Sequence, residues 1–133
     1  MITLGLSLNP GLHFKSLLTR HNIKLEIDPR LECIGMAHTN RYKIILREPV
    51  CSLETYAVGL HEMGHIVDRV DVGDDADLLN IMLFGPSERV LKSEMNAWRW
   101  AKNNALWWRK PMQDIMVWSL STYGVTDLAD LTD

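Results

Sequence analysis

Apolar and polar positions divide the chain into short segments of differing period. Leu12, Leu17 and Leu18 follow Pro10, a residue suited to a first helical turn, so a helix is predicted from Pro10 to near Arg20. Ile23, Leu25 and Ile27 alternate with polar neighbours, the period of a half-buried strand, until Asp28-Pro29 stops it. Ile34, Met36 and His38 alternate as well, and so do Tyr42, Ile44 and Leu46. Thr39-Asn40-Arg41 separates the two sets, so residues 33–47 read as a β-hairpin, with Pro49 breaking the pattern beyond it.

The period then becomes helical. Ser52 is a candidate N-cap with Glu54 in the first turn, where the helix dipole favours an acid. Leu53, Tyr56, Ala57, Leu60 and Val67 recur at helical spacing, which predicts a helix to about Val70. Asp71, Gly73, Asp74, Asp75 and Asp77 follow and read as a solvated loop; their spacing does not fit an EF-hand calcium site. Gly85-Pro86-Ser87, with Glu88, marks a further helix expected to reach Trp108. Pro111 opens a last helix through Met112, Ile115, Met116 and Leu120, and Gly124 ends it. The last residues, to Asp133, read as a short helical turn or a frayed end. The fold class expected is α+β: a short antiparallel sheet with a hairpin, packed on helices.

Composition narrows the class. At 133 residues, 47% hydrophobic and 23% charged, the chain reads as a single folded domain over residues 1–133. No apolar run approaches the ~18 residues of a membrane span, and the first residues lack a secretory pattern, so a cytoplasmic protein is expected. A net charge of −3 argues against nucleic acid as the main partner. Cys33 and Cys51 could pair once, but with no export signal they read as two reduced core thiols. Trp98, Trp100, Trp107, Trp108 and Trp118 crowd the C-terminal half; helical spacing assigns them to packing, with one or two lining a groove.

The chemistry is concentrated in His61-Glu62-Met63-Gly64-His65, an H-E-x-x-H sequence inside the second predicted helix. At about 100° per residue, positions four apart share a face, so both imidazoles can turn toward one ion. Glu62 lies round from His61, placed to act as general base on zinc-bound water without being a ligand. Gly64 costs a helix about 1 kcal/mol, a cost with a purpose if another element or the metal site must come close. A catalytic zinc site usually needs a third protein ligand. Asp68, Asp71, Glu88 and Glu94 are the nearby acids. Glu94 is on a helical stripe with Leu91, Trp98, Ala101, Ala105 and Trp108 that is otherwise apolar. A carboxylate there is costly unless paired or metal-bound. Asp68, three residues after His65, is a candidate to accept the other N–H of a ligating histidine.

HEMGH at 61–65 and SEMNAWRWA at 93–101 resemble the gluzincin-type zinc metallopeptidases, and the short strand–hairpin–helix–helix order looks like their ImmA/IrrE-like or phage-encoded branch. The resemblance implies a minimal zincin-like fold, His61, His65 and Glu94 as ligands of one zinc per chain, and Glu62 as catalytic base. It also implies a sheet-edge strand beside the cleft, for which the hairpin is the candidate, and an oxyanion stabiliser, for which His38, Tyr42, Tyr56 and Tyr123 are open. Trp98 stands where thermolysin-like members carry an aspartate that supports a histidine. The expected function is hydrolysis of a peptide bond in a protein or peptide substrate. The alternatives are a non-catalytic, zinc-stabilised regulatory or binding protein, and a peptidase-type toxin or anti-defence factor acting on one host protein.

Overall fold

The structure, a computed structural model, describes residues 9–68 and 78–126. Its first helix, α1 (Pro10–Arg20), starts where Asn9 accepts the Leu12 amide at 3.1 Å, and buries Phe14, Leu17 and Leu18. Strand β1 (Lys24–Ile27) follows, then β2 (Gly35–His38), a single 3₁₀ turn at Thr39–Arg41, and β3 (Lys43–Leu46). The predicted hairpin is present: β2 and β3 pair antiparallel, with Gly35 opposite Leu46 and His38 opposite Lys43.

The sheet as a whole is mixed, which corrects the expectation of an antiparallel one. Its order is β1-β3-β2, and β1 runs parallel to β3, Lys24 opposite Lys43 and Ile27 opposite Leu46. The hairpin turn fixes only the β2–β3 sense. The chain reverses after β1 and carries β2 to the far edge, so β3 inserts between them and takes the sense of β1. The face carried by Leu25 and Ile27 is also less covered than their alternation suggests, since both are exposed by more than a third.

Helix α2 (Leu53–Asp68) is capped as expected, Ser52 Oγ accepting the Thr55 amide at 3.1 Å. It is the central element: residues 55–64 are buried on every side, between α1, the sheet and two later helices. The expected extension to Val70 and the aspartate-rich segment 71–77 lie outside the described residues, as does the C-terminal stretch 127–133. A short helix, α3 (Leu78–Phe84), occupies a segment that the apolar pattern does not single out.

Helix α4 (Glu88–Asn104) starts at Ser87, whose hydroxyl accepts the Val90 amide, and ends four residues before Trp108. The reason for the early end is tertiary. The Leu106 amide donates to the Tyr56 hydroxyl at 3.0 Å, and Trp107 packs edge-on against the Tyr56 ring. Both contacts draw residues 105–108 out of helical register. Helix α5 (Lys110–Ser121) then carries Met112, Met116 and Leu120 into the core, and Gly124, at φ 83°, lies in the turn beyond it.

Most of the core lies between α2 and its neighbours: Phe14, Leu17, Ile44, Leu46, Tyr56, Leu60, Met63, Ile66, Trp98, Met112, Met116 and Leu120. Each such side chain contributes about 1.5–3 kcal/mol on burial, enough to hold polar groups on α2 inside the protein if those groups are satisfied. Of the five tryptophans, Trp98 is core, Trp100, Trp107 and Trp108 pack against the core, and Trp118 is 67% exposed. Cys33 and Cys51 are both exposed and free, which corrects the expectation of core thiols. Both lie in connections at the surface, Cys33 ahead of an edge strand and Cys51 ahead of a helix cap. Among the described residues no helix is long and apolar enough to cross a membrane.

Candidate metal centre

Two helices build the site. His61 and His65 stand one turn apart on α2, and Glu94 faces them from α4. Glu94 Oε1 lies 3.1 Å from His61 Nε2, and Glu94 Oε2 lies 2.7 Å from His65 Nε2. The two imidazoles meet edge to face with centroids 4.6 Å apart. One ligand atom from each of the three residues lies within 4.8 Å of the others, so a buried triad can hold a metal ion. Asp71, the further acid weighed from sequence, lies outside the described residues, and Glu88 is exposed in the first turn of α4.

The helices reach this distance because of Gly64. A Cβ there would meet the Ala97 carbonyl oxygen at 2.6 Å and the Ala97 Cα at 2.9 Å. Any side chain at position 64 therefore pushes α4, and Glu94 with it, away from the histidines. The close approach anticipated from sequence is thus an approach of the second helix. The face α4 presents is Val90, Ser93, Glu94, Ala97, Trp98 and Ala101, turned slightly from the predicted stripe; Leu91, Ala105 and Trp108 are only partly covered.

Electrostatics favour positive charge at the triad. Burial alone would lower the His61 pKa, yet the Glu62 and Glu94 carboxylates beside it raise it to about 9. Burial would raise that of Glu94, and its hydrogen bonds and charge pairing with both histidines bring it down to about 2. A pocket that stabilises an imidazolium against its own burial also stabilises a cation, and two imidazole nitrogens with one carboxylate are a donor set that suits a divalent transition metal.

Each histidine is oriented differently. His65 Nδ1 lies 3.2 Å from Ser93 Oγ, which accepts its proton when Nε2 is left free to coordinate. Ser93 was not singled out from sequence; its only signal was its place beside Glu94 on the buried side of α4. His61 Nδ1 lies 3.3 Å from Glu62 Oε2, and its ring face stacks on Trp98. Asp68, the candidate from sequence, makes no hydrogen bond to either histidine here. Its Oδ1 accepts from Asn96 Nδ2 at 3.5 Å and its Oδ2 has no hydrogen-bond partner, while Ser93 holds the His65 nitrogen that Asp68 would have taken.

The triad opens on a cleft of about 740 Å³. Edge strand β2 forms one wall, with Gly35, Met36 and Ala37; Ile115, Trp118 and Ser119 of α5 are also among the lining residues, with Thr122 and Tyr123 just beyond it. Gly35 lets the strand come against α2, since a Cβ there would lie 3.1 Å from Val58 Cγ1 and 3.4 Å from Glu62 Cγ. The Arg47 amide donates to the Ile34 carbonyl at 2.9 Å, so by antiparallel alternation the backbone polar groups of Gly35 and Ala37 face away from β3. Cys33 Sγ donates to the Gly35 carbonyl at 3.3 Å.

The four candidate oxyanion stabilisers now separate. Tyr123 lines the cleft. Burial, and then the charges of Glu94 and Glu62, push its hydroxyl up to about 12, so it stays protonated at neutral pH. Tyr56 is fully buried elsewhere, its hydroxyl 2.7 Å from His13 Nδ1. His38 and Tyr42 flank the hairpin turn and do not line the cleft.

No family model matches the chain. No curated protein and no solved structure matches it either.

Proposed function

We propose that this chain is a zinc-dependent peptidase of the gluzincin type, in which His61, His65 and Glu94 hold one zinc and Glu62 is the general base. The observation that carries the reading is the convergence of the triad with a fourth group, Glu62, that shares the cleft but not the ligand cluster. A site built only to brace the fold tends to be closed by its ligands, whereas this one opens on a cleft. When bound, zinc supplies Lewis acidity that polarises a carbonyl and acidifies water.

The protein's own residues do the rest. The outward-facing backbone groups of Gly35 and Ala37 at the sheet edge pair with an extended peptide, whose amide displaces the weak Cys33 thiol donor from the Gly35 carbonyl, and lay it across the cleft. Glu62 takes a proton from the attacking water and delivers it to the amine leaving group. The Tyr123 hydroxyl, protonated at neutral pH, donates to the oxygen that gains negative charge as the carbonyl becomes tetrahedral. Glu94 would offset part of the charge of a cation held with His61 and His65.

The test has two stages. Elemental analysis of the purified chain should find one zinc per chain; no zinc, and no uptake on adding it, ends the metal reading. A degenerate peptide mixture is then digested with the zinc-loaded chain and with Glu62→Gln. Glu62→Gln should keep zinc and fold while losing cleavage, and Tyr123→Phe should cleave about 100-fold more slowly. Cleavage by Glu62→Gln equal to that of the unaltered chain assigns the base wrongly.

A further inference from the structure

His61 and His65 face the same carboxylate, but their other ring nitrogens have unequal partners. His65 Nδ1 rests on Ser93, a side chain with no part in the proposed chemistry. His61 Nδ1 faces Glu62 Oε2 at 3.3 Å, the very carboxylate that must turn toward water and substrate. Whenever Glu62 turns away, His61 loses the in-plane partner that the described residues give it on that side, and something else must hold the ring.

Trp98 is placed to do so. It follows Glu94 by one helical turn on α4, so the carboxylate meets the edge of the His61 imidazole and the indole meets its face. The two rings stack with centroids 4.2 Å apart and an interplanar angle of 17°. Trp98 is 1% exposed and belongs to the core, so the indole has little room to move. The Gly64–Ala97 contact sets the helix separation one residue before it.

We propose that Trp98 is a positioning residue for His61: it fixes the imidazole plane through the stacked face and so frees Glu62 to leave Nδ1 during the reaction. This rests on the metal-site reading above. A stacked aromatic plane restrains tilt of the ring without taking up either nitrogen, which an in-plane hydrogen bond cannot do.

The experiment compares Trp98→Leu, which keeps an apolar side chain but removes the aromatic face, with Trp98→Phe, which restores one. Met116→Ala, a core truncation, controls for lost stability; Met116 does not line the cleft. Zinc affinity is read by competition with a chelating dye, on samples whose circular dichroism shows them folded. Trp98→Leu should bind zinc roughly 10- to 100-fold more weakly, the range expected when a ligating histidine loses its support. Trp98→Phe should recover most of the loss, and Met116→Ala should bind as the unaltered chain does. In the unaltered, metal-free chain the His61 ring protons should be shifted upfield by the indole, and this shift should vanish in Trp98→Leu. Wild-type affinity in Trp98→Leu, no rescue in Trp98→Phe, or equal weakening in Met116→Ala overturns the proposal. A chain that binds no zinc before any substitution overturns the metal reading itself, and this inference with it.

Discussion

Two polar clusters are built around α2, one where Tyr56 meets His13 of α1 and one at His61, and they differ in charge and in access to the cleft. At Tyr56 the cluster is neutral and closed. The Tyr56 hydroxyl accepts from the Leu106 amide and lies 2.7 Å from His13 Nδ1, joining α1, α2 and the α4–α5 connection. Burial, helped by Arg20, lowers the His13 pKa, so the ring prefers to be uncharged. At His61 the cluster is charged and open. Two imidazoles and two carboxylates crowd a cleft, and the carboxylates raise His61 to about 9 in spite of its burial. A closed neutral network is what structure alone requires, since it satisfies its groups pairwise. Charge concentrated at a cleft exceeds that requirement and points to a ligand.

Removing Glu94 should break this contrast most completely. Glu94→Ala leaves two imidazoles with no shared carboxylate, and zinc affinity should fall by more than about 100-fold, with a lower melting temperature for the zinc-loaded chain because metal binding couples to folding. Glu88→Ala, on an exposed first turn, should change neither; dye competition and thermal melts decide between them. A Glu94→Ala chain that keeps zinc at full affinity would mean the wrong carboxylate was chosen.

Gly64→Ala tests the spacing behind the open cluster. Its Cβ would meet Ala97 backbone, which cannot yield as a flexible side chain would, so a loss of about 1–3 kcal/mol in denaturant midpoints is expected, together with weaker zinc binding. Tyr56→Phe should separate the two clusters. It leaves the Leu106 amide without its acceptor and should cost about 1–3 kcal/mol, yet zinc affinity should be unchanged. A matching loss of zinc would show that the clusters are one network.

The smallest effect is a difference of sign with pH in the metal-free chain. His61 has a folded pKa raised above 6.5, so its contribution to stability is fully present below that value and is lost as pH rises through about 9. His13 has a folded pKa lowered from 6.5, so its contribution is present above 6.5 and is lost as pH falls. Proton–carbon NMR titration should find the two rings moving to opposite sides of 6.5. Because zinc must displace the His61 proton, zinc affinity should climb with pH up to about 9. Coincident titration curves would remove the electrostatic distinction between the clusters.

Much of this is legible in the amino-acid sequence. The four-residue spacing of His61 and His65 carries its own geometry once the segment is helical. Helix starts were readable from Ser52, Ser87 and Pro111, because caps and first-turn prolines act locally. Glu94 was readable because a carboxylate on an apolar stripe is costly without a partner. Ser93 and the parallel placement of β1 were not readable in the same way, since each depends on groups distant in sequence. The end of α4 at Asn104 is of this second kind: nothing local stops the helix before Trp108, and Tyr56 does so from some fifty residues away.

The sequence by itself therefore determined the spacing of His61 and His65 on α2, the carboxylates that could join them and the positions of the main helices. These follow from the helical period and from local capping, which operate within a few residues. Only the tertiary structure decided which tyrosine faces the cleft, which strand is its edge, what holds each imidazole and how near α4 comes. Those outcomes depend on packing between segments, where a single Cβ at Gly64 would press on the Ala97 backbone and force α4 to shift.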